Sequence, residues 1–444
     1  MQKILSLRPL LPKGQVTYYK DQLLIVRGEK QFLFDSNGKK YLDFFGGIVT
    51  VSVGHCHPKI NAALTEQAQK LWHTTSIYHT EPIYKYAEKL IGKFPSKLNT
   101  VFLVNSGSEA NDLALALARN YTGRFDVISM RNGYHGMTQT VLGATNLGNW
   151  KPVIPHGFNI FKSLNADPYR GIFGGSNCRD SPTQVKNRKC DCAPGSCQAS
   201  DKYIEQFEEM LLHDFSHSSG PAAFLIESIQ GVGGTVQYPR GYLKKSYEAV
   251  QKRGGLAIAD EVQTGFGRLG SHFWGFESQD AMPDIVTMAK GIGNGFPLGA
   301  VVTTKEIADA FNKSLYFNTY GGNPLASVVG KAVLEVIEEE KLQENCAVVG
   351  DYFLKQLGAL KESAIGDVRG KGLMIGIELV DEQGKPLAGA KTAAIFEETK
   401  NQGLLIGKGG IYGNVLRIKP PMCITKKDVD FAVDVIAKSI KQFK

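Results

Sequence analysis

Six runs of five or six mostly apolar residues punctuate the middle of the chain: 100–104, 126–130, 222–227, 256–260, 284–289 and 299–303. Strands buried on both faces read as near-continuous apolar runs, and strands that alternate with amphipathic helices build a parallel sheet covered on both sides. Between two of the runs Leu243, Tyr247 and Val250 fall at helical spacing, and Gly254-Gly255 supplies a C-terminal stop. Ile204, Phe207 and Leu211 mark another helix. The pattern predicts an α/β fold around a large, mostly parallel central sheet.

At 444 residues the chain is about three times a ~150-residue domain, so more than one packed unit is expected. After about residue 325 the pattern changes to long helices with a few strands, 373–379 and 415–419, and ends in a helix from Lys426. The expected division is an N-terminal segment (1–75) packing with the small domain, a large ligand-binding domain (76–325) and a smaller C-terminal α+β domain (326–444). Residues 32–42 read as strand-turn-strand with Asn37-Gly38 at the hairpin. Residues 163–201, rich in Cys, Gly, Pro, Asn and Ser, are too long for a plain connection and read as a surface insertion.

Glycine is over-used at 49 residues, about 11% against an ordinary ~7%, which suits turns and loops that bring backbone close to a ligand. The formal net charge of +8 is spread along the chain, with no zinc-finger or helix-turn-helix signature and no basic stripe. A small anionic molecule is therefore the expected partner, and not nucleic acid. No 18 consecutive residues are apolar, so no membrane partner is expected. Seven cysteines, an odd number in a long chain, favour a reducing compartment. Cys178, Cys190, Cys192 and Cys197 are clustered at spacings unlike a paired zinc knuckle; a structural zinc, disulfides and free thiols stay open for them. Lys3, Arg8, Lys13 and Lys20 precede the first acid, Asp21, which is the charge bias of a transit peptide, with one arginine and one serine in those twenty residues.

Asp260 ends one run and Lys290 follows another, which places both charges at the carboxyl ends of parallel strands, where open α/β sheets bind ligands. Lys290 leads into Gly291-Ile-Gly-Asn-Gly-Phe-Pro-Leu-Gly299, leaving space for a bulky aldehyde. A lysine that condenses with an aldehyde, beside an aspartate on a pyridinium nitrogen, is how proteins hold pyridoxal phosphate. The run 100–104 continues into Asn105-Ser-Gly-Ser-Glu-Ala-Asn111 and a helical pattern over 113–120, so free backbone N–H groups and two hydroxyls stand ready for a phosphate. Ser106 with Glu109 three positions on also fits a plain capping box, and spacing alone leaves both readings open.

Asn105 to Asn111, Asp260-Glu-Val-Gln-Thr-Gly-Phe-Gly-Arg268, the Lys290 segment and Thr319-Tyr-Gly-Gly-Asn-Pro324 together resemble the class III aminotransferases of the fold type I pyridoxal-phosphate enzymes. The resemblance covers nearly the whole chain. It implies that Lys290 carries the cofactor and then moves the substrate's α-proton, and that Asp260 keeps the pyridine nitrogen protonated. It also implies that Gln263 meets the ring's 3-oxygen and that Tyr134 and His135 lie against the cofactor, with Tyr134 stacking on its face. Ser106, Gly107 and Ser108 would hold the phosphate, and Thr319 would reach it from a neighbouring subunit, implying a homodimer or a dimer of dimers. Arg417 resembles the arginine that grips the substrate carboxylate, a task suited to a planar fork, although a strand arginine also fits a surface charge. Glu227 resembles a glutamate that pairs with that arginine in some members. By the same resemblance His55-Cys56-His57 falls in a loop near the site entrance, and no metal ligand set is assigned. Gly265-Phe-Gly-Arg268 lacks the three-glycine dinucleotide fingerprint.

Three further segments, Gly47 to Pro58, Asn177 to Pro182 and Gly366 to Gly376, are similar to the mitochondrial members that act on alanine and glyoxylate. The implied reaction moves the amine of L-alanine, or of a small β-amino acid such as β-alanine or 3-aminoisobutyrate, to glyoxylate or pyruvate in the mitochondrial matrix. Two rival readings are a lyase acting on a phosphorylated amine, which would keep every cofactor residue, and a non-catalytic interaction protein stabilised by metal at the cysteine-rich insertion.

Overall fold

The computed structural model describes residues 4–443 apart from 5, 13, 15–16, 155–158, 175–197, 216–219 and 314. Cys178, Cys190, Cys192 and Cys197 lie outside the described residues. The chain opens with the antiparallel strands β1 (Ile25–Glu29), β2 (Phe32–Asp35) and β3 (Lys40–Asp43). Gly38 adopts φ 79 in the β2–β3 turn, the left-handed conformation that the Asn-Gly signal calls for.

The central sheet has seven strands: β4 (Thr100–Val104), β5 (Val127–Met130), β6 (Ile160–Ser163), β7 (Ala223–Glu227), β8 (Leu256–Asp260), β9 (Ile285–Met288) and β10 (Gly299–Thr303). Their spatial order is β4-β10-β9-β8-β7-β5-β6. The pairs from β6 through β9 are parallel, whereas β10 is antiparallel to both β4 and β9. All six apolar runs are strands, but the last departs from the parallel pattern. The linker from β9 to β10 is too short for the crossover of a dozen or more residues that a parallel pair needs. β6 escaped the sequence reading because only Ile160 and Phe161 in it are apolar. Ser163 belongs to β6 and residues 198–201 to the helix Gln198–His213, so regular structure enters the expected insertion at both ends.

The helix Gly107–Thr122 presses Ala110, Ala114, Leu115 and Ala118 into the apolar layer that includes Ile258, Ile285 and Val301. Its small side chains let helix and sheet approach closely. The helix Tyr242–Lys252 stops where expected, with Gly254 at φ 74. Toward the C-terminus come β11 (Ile365–Lys371), β12 (Met374–Leu379), β13 (Leu404–Leu405), β14 (Gly407–Gly409) and β15 (Val415–Ile418), then the helix Lys426–Phe443. β11, β12, β15 and β14 form an antiparallel sheet, and β13 pairs in parallel with β3. Among the described residues no helix is long and apolar enough to cross a membrane. Because β4, β5, β7, β8 and β9 share a direction, the residues that follow them emerge on one rim of the sheet.

Candidate active site

On that rim Asp260 is 3% exposed and is held by three donors. Asn111 Nδ2 at 2.9 Å and His135 Nδ1 at 2.8 Å reach Oδ2, and the Val262 amide reaches Oδ1 at 3.1 Å. Thr287 Oγ1 donates to Asn111 Oδ1 at 2.6 Å, which fixes the orientation of the Asn111 amide. His135 must donate through Nδ1, because a carboxylate oxygen only accepts. His135 Nε2 is buried without a partner among the described residues.

Lys290 sits just beyond β9 with φ 53, a left-handed conformation that costs a non-glycine residue roughly 1 kcal/mol or more and that concentrates at functional sites. Burial, and after it the neighbouring Arg417, pull its ammonium down to about 8, while Asp260 and Glu227 oppose the shift. Glu227 ends β7 in register with Asp260 on β8. It accepts the amides of Tyr134 at 3.1 Å and Gly231 at 2.7 Å. Burial lifts its carboxyl above the usual range; Asp260 adds to the rise and His135 opposes it. The Tyr134 ring meets Trp150 edge-on at 5.4 Å.

Ser106 caps the helix Gly107–Thr122 by accepting the Glu109 amide at 3.2 Å. The capping box is only half closed, because the Glu109 carboxylate turns to the Asn105 amide at 2.7 Å. Ser108 Oγ accepts the Met137 amide at 3.1 Å. Gly136, at φ 137, passes so close that a Cβ there would stand 2.4 Å from Ser108 Oγ. The cradle is thus a helix N-terminus with two hydroxyls, kept shallow by glycine.

Arg417 on β15 is buried. It reaches Lys408 O and Gln263 Oε1 only at 3.4 Å, its Nε has no partner among the described residues, and Phe45 lies 5.5 Å from the guanidinium. Burial lowers its pKa. The pairing of Glu227 with Arg417 that the resemblance suggested does not form, since Glu227 is turned to backbone amides and Arg417 to Gln263. Lys419 Nζ also reaches Gln263 Oε1, at 2.9 Å. Neither Lys419 nor Asn111 was given a role from the sequence. Asn111 closes the quoted cradle motif, and Lys419 follows Arg417 by two, the strand spacing that puts side chains on one face.

The loop histidines turn to separate carboxylates, His55 to Asp43 at 2.8 Å and His57 to Glu340 at 2.9 Å. Thr319 is exposed. Its neighbour Asn318 ties this segment to the cradle through Asn105 Nδ2 at 3.2 Å and through Glu109. The structure therefore gathers Lys290, Asp260, His135, Glu227, Tyr134, Gln263 and Arg417 at one site, with Ser106, Gly107 and Ser108 following β4, which β10 separates from β9.

The model of the family described as aminotransferase class III matches residues 15–440. Over 430 residues the chain is 53% identical to the mitochondrial alanine–glyoxylate aminotransferase 2 of Homo sapiens, covering 96% of this chain and 83% of that one. Among solved structures it is similar to a phospholyase from Arthrobacter in complex with phosphoethanolamine, with a TM-score of 0.88, 31% identity and full coverage of both chains. It is also similar to an amine transaminase from an uncultivated Pseudomonas species in the PLP-bound (internal aldimine) form, with a TM-score of 0.87, 29% identity and coverage of 98% and 99%. With a strand-end lysine and aspartate on a seven-stranded sheet and a family match along nearly its whole length, the chain belongs to the class III aminotransferases.

Proposed function

We propose that this aminotransferase uses pyridoxal phosphate to move the amino group of L-alanine, or of a small β-amino acid such as 3-aminoisobutyrate, to glyoxylate or pyruvate. The observation that carries the reading is an amine drawn down to about 8 on the same rim as a carboxylate fixed by three donors. An aldehyde calls for the first group and a pyridinium N–H for the second. The helix N-terminus with Ser106, Gly107 and Ser108 fits the phosphate. The name of the human relative supports the substrates and a mitochondrial location.

When bound, pyridoxal phosphate supplies an electron sink for the charge left as the substrate's α-proton departs. With a pKa of about 8, Lys290 is about a tenth neutral at pH 7, and its Nζ takes the α-proton and returns it. Asp260 would present fixed negative charge to the ring nitrogen, Gln263 would serve the 3-oxygen, and Tyr134 with His135 would flank the ring. Arg417 grips the substrate carboxylate, and its two 3.4 Å contacts are weak enough to exchange for it. Arg417→Ala should raise the KM for alanine about 100-fold, the loss of a charge-assisted fork, and leave cofactor affinity nearly unchanged. An unaltered KM would remove Arg417 from the carboxylate site.

The proposal includes a homodimer or a dimer of dimers. Trp72, Ile77, Tyr78, Phe317 and Tyr320 are exposed apolar side chains beside the cradle, His73 and Tyr320 join their two segments at 5.4 Å, and exposed Thr319 lies among them. An apolar patch of this kind on a globular protein marks an interface. Phe317→Asp is expected to shift the protein toward monomer in sedimentation velocity and to weaken cofactor retention with it; an unchanged sedimentation coefficient would count against this face. The division into an N-terminal segment (1–75), a large cofactor-binding domain (76–325) and a small domain (326–444) belongs to the same proposal, supported by the β3–β13 pairing.

The test is the visible absorbance of the purified protein before and after L-alanine, β-alanine and phosphoethanolamine in separate cuvettes. A band that L-alanine bleaches and glyoxylate restores supports the reading. The likeness to the phospholyase favours one alternative, a lyase acting on a phosphorylated amine, and release of inorganic phosphate from phosphoethanolamine without a new amino acid would establish it. No band with added pyridoxal phosphate would end the cofactor assignment.

A further inference from the structure

Lys419 is completely buried, yet no carboxylate lies within ion-pair distance of it among the described residues. The charges it feels most are Arg417, Lys290 and Arg268, of its own sign, against Glu227 alone. Burial above all, then Arg417, pull its ammonium well below the usual lysine value. A buried lysine without an ion pair costs a fold stability whether it keeps its charge or gives up its proton, and methionine would fill the same space at lower cost. Packing therefore does not account for a lysine at this position.

Among the described residues the one hydrogen bond of its side chain is to Gln263 Oε1, 2.9 Å away, and Arg417 Nη2 approaches the same atom at 3.4 Å. A guanidinium can only donate, so the atom facing both side chains is the amide oxygen. Turning the amide over would set its NH2 against two donors. Gly231 lies over the face of the amide, where a Cβ would stand 2.4 Å from Gln263 Oε1 and 2.5 Å from both Cδ and Nε2, so the amide lies flat against backbone. Its NH2 is then the group left for an acceptor in the site.

We propose that Lys419 is a positioning residue: by holding the Gln263 oxygen it fixes the Gln263 NH2 as the donor to the cofactor's ring oxygen. The inference rests on the cofactor reading above. It makes Lys419 and Gln263 one unit, which a double-mutant cycle detects.

The dissociation constant for pyridoxal phosphate is to be measured by fluorescence quenching with the full chain, for wild type, Lys419→Met, Gln263→Ala and the double variant. Lys419→Met is expected to weaken binding about tenfold, the scale of one oriented hydrogen bond. The double variant is expected to lie within about twofold of Gln263→Ala alone, and the melting temperature of Lys419→Met is expected not to fall. Lys419→Gln, which restores a neutral donor, should return affinity to within about threefold of wild type. The inference is overturned if Lys419→Met binds like wild type, if it weakens binding by the same factor with and without Gln263, or if Lys419→Gln binds as weakly as Lys419→Met. Should Lys419→Met not fold, Lys419→Leu takes its place in the cycle. Wild type that does not bind pyridoxal phosphate would remove the cofactor reading itself. Gln263→Ala that binds like wild type would remove the ring-oxygen role of Gln263, and this inference with it, while the cofactor reading stands.

Discussion

Lys290→Ala is expected to lower kcat by about 10⁴-fold or more while the protein stays folded and still takes up pyridoxal phosphate. The size follows from one amine serving twice, as the group that captures an aldehyde and as the base that moves the α-proton, and a single proton-transfer group is already worth about 10²- to 10⁴-fold. Lys419, the other lysine at the site, is engaged with Gln263 and cannot substitute. The pH dependence has a definite sign. Lys290 is drawn down to about 8, so the neutral, nucleophilic form grows as pH rises through about 8, well below the ordinary lysine value near 10.4. Linkage of the cofactor aldehyde to the lysine in protein stripped of cofactor should therefore accelerate up to about pH 8 and then level off, and in Lys290→Ala the accompanying spectral shift should be missing at every pH. Stopped-flow absorbance reads both. Turnover of the variant within tenfold of wild type would exclude Lys290 from the chemistry.

Much of this was legible because the relevant signals are local. Buried parallel strands cannot alternate, so 256–260 and 284–289 announce themselves by composition, and the charge that ends or follows such a run has to emerge on the ligand-binding rim. Serine before a helical pattern states a cap, and Ser106 is one. What composition does not carry is direction: β10 looks like its neighbours, and only the length of its linker reveals that it runs the other way. Nor does it carry partner choice. Asn111 is a polar residue in a helix until Thr287 and Asp260 meet it across the sheet. Lys419, two residues past Arg417, carries no signal of its own, because nothing local says that the strand end is buried. Glu227 was matched to Arg417 by resemblance, but the amides of Tyr134 and Gly231 satisfy it first.

Asp260→Asn is expected to lower kcat by about 10³-fold, the range seen when one preorganised electrostatic group is lost, with pyridoxal phosphate still bound. Size and shape are conserved, so the effect isolates charge and proton-accepting ability. The wild-type carboxylate takes Asn111 and His135 on one oxygen and the Val262 amide on the other, three donors that only a group accepting on both sides can satisfy. Asparagine has one accepting end. Its NH2 must face either the Val262 amide or the Asn111 and His135 pair, leaving at least one buried donor unmatched at a cost of about 1–3 kcal/mol. A fall in melting temperature should therefore accompany the loss of rate. The two effects separate by temperature: assayed well below its melting transition, the variant should be fully folded and still slow, because a neutral amide cannot hold a pyridinium N–H. If kcat recovers to within tenfold of wild type under those conditions, the carboxylate serves only to order His135 and Asn111, and the electron demand of the reaction must be met elsewhere on the rim.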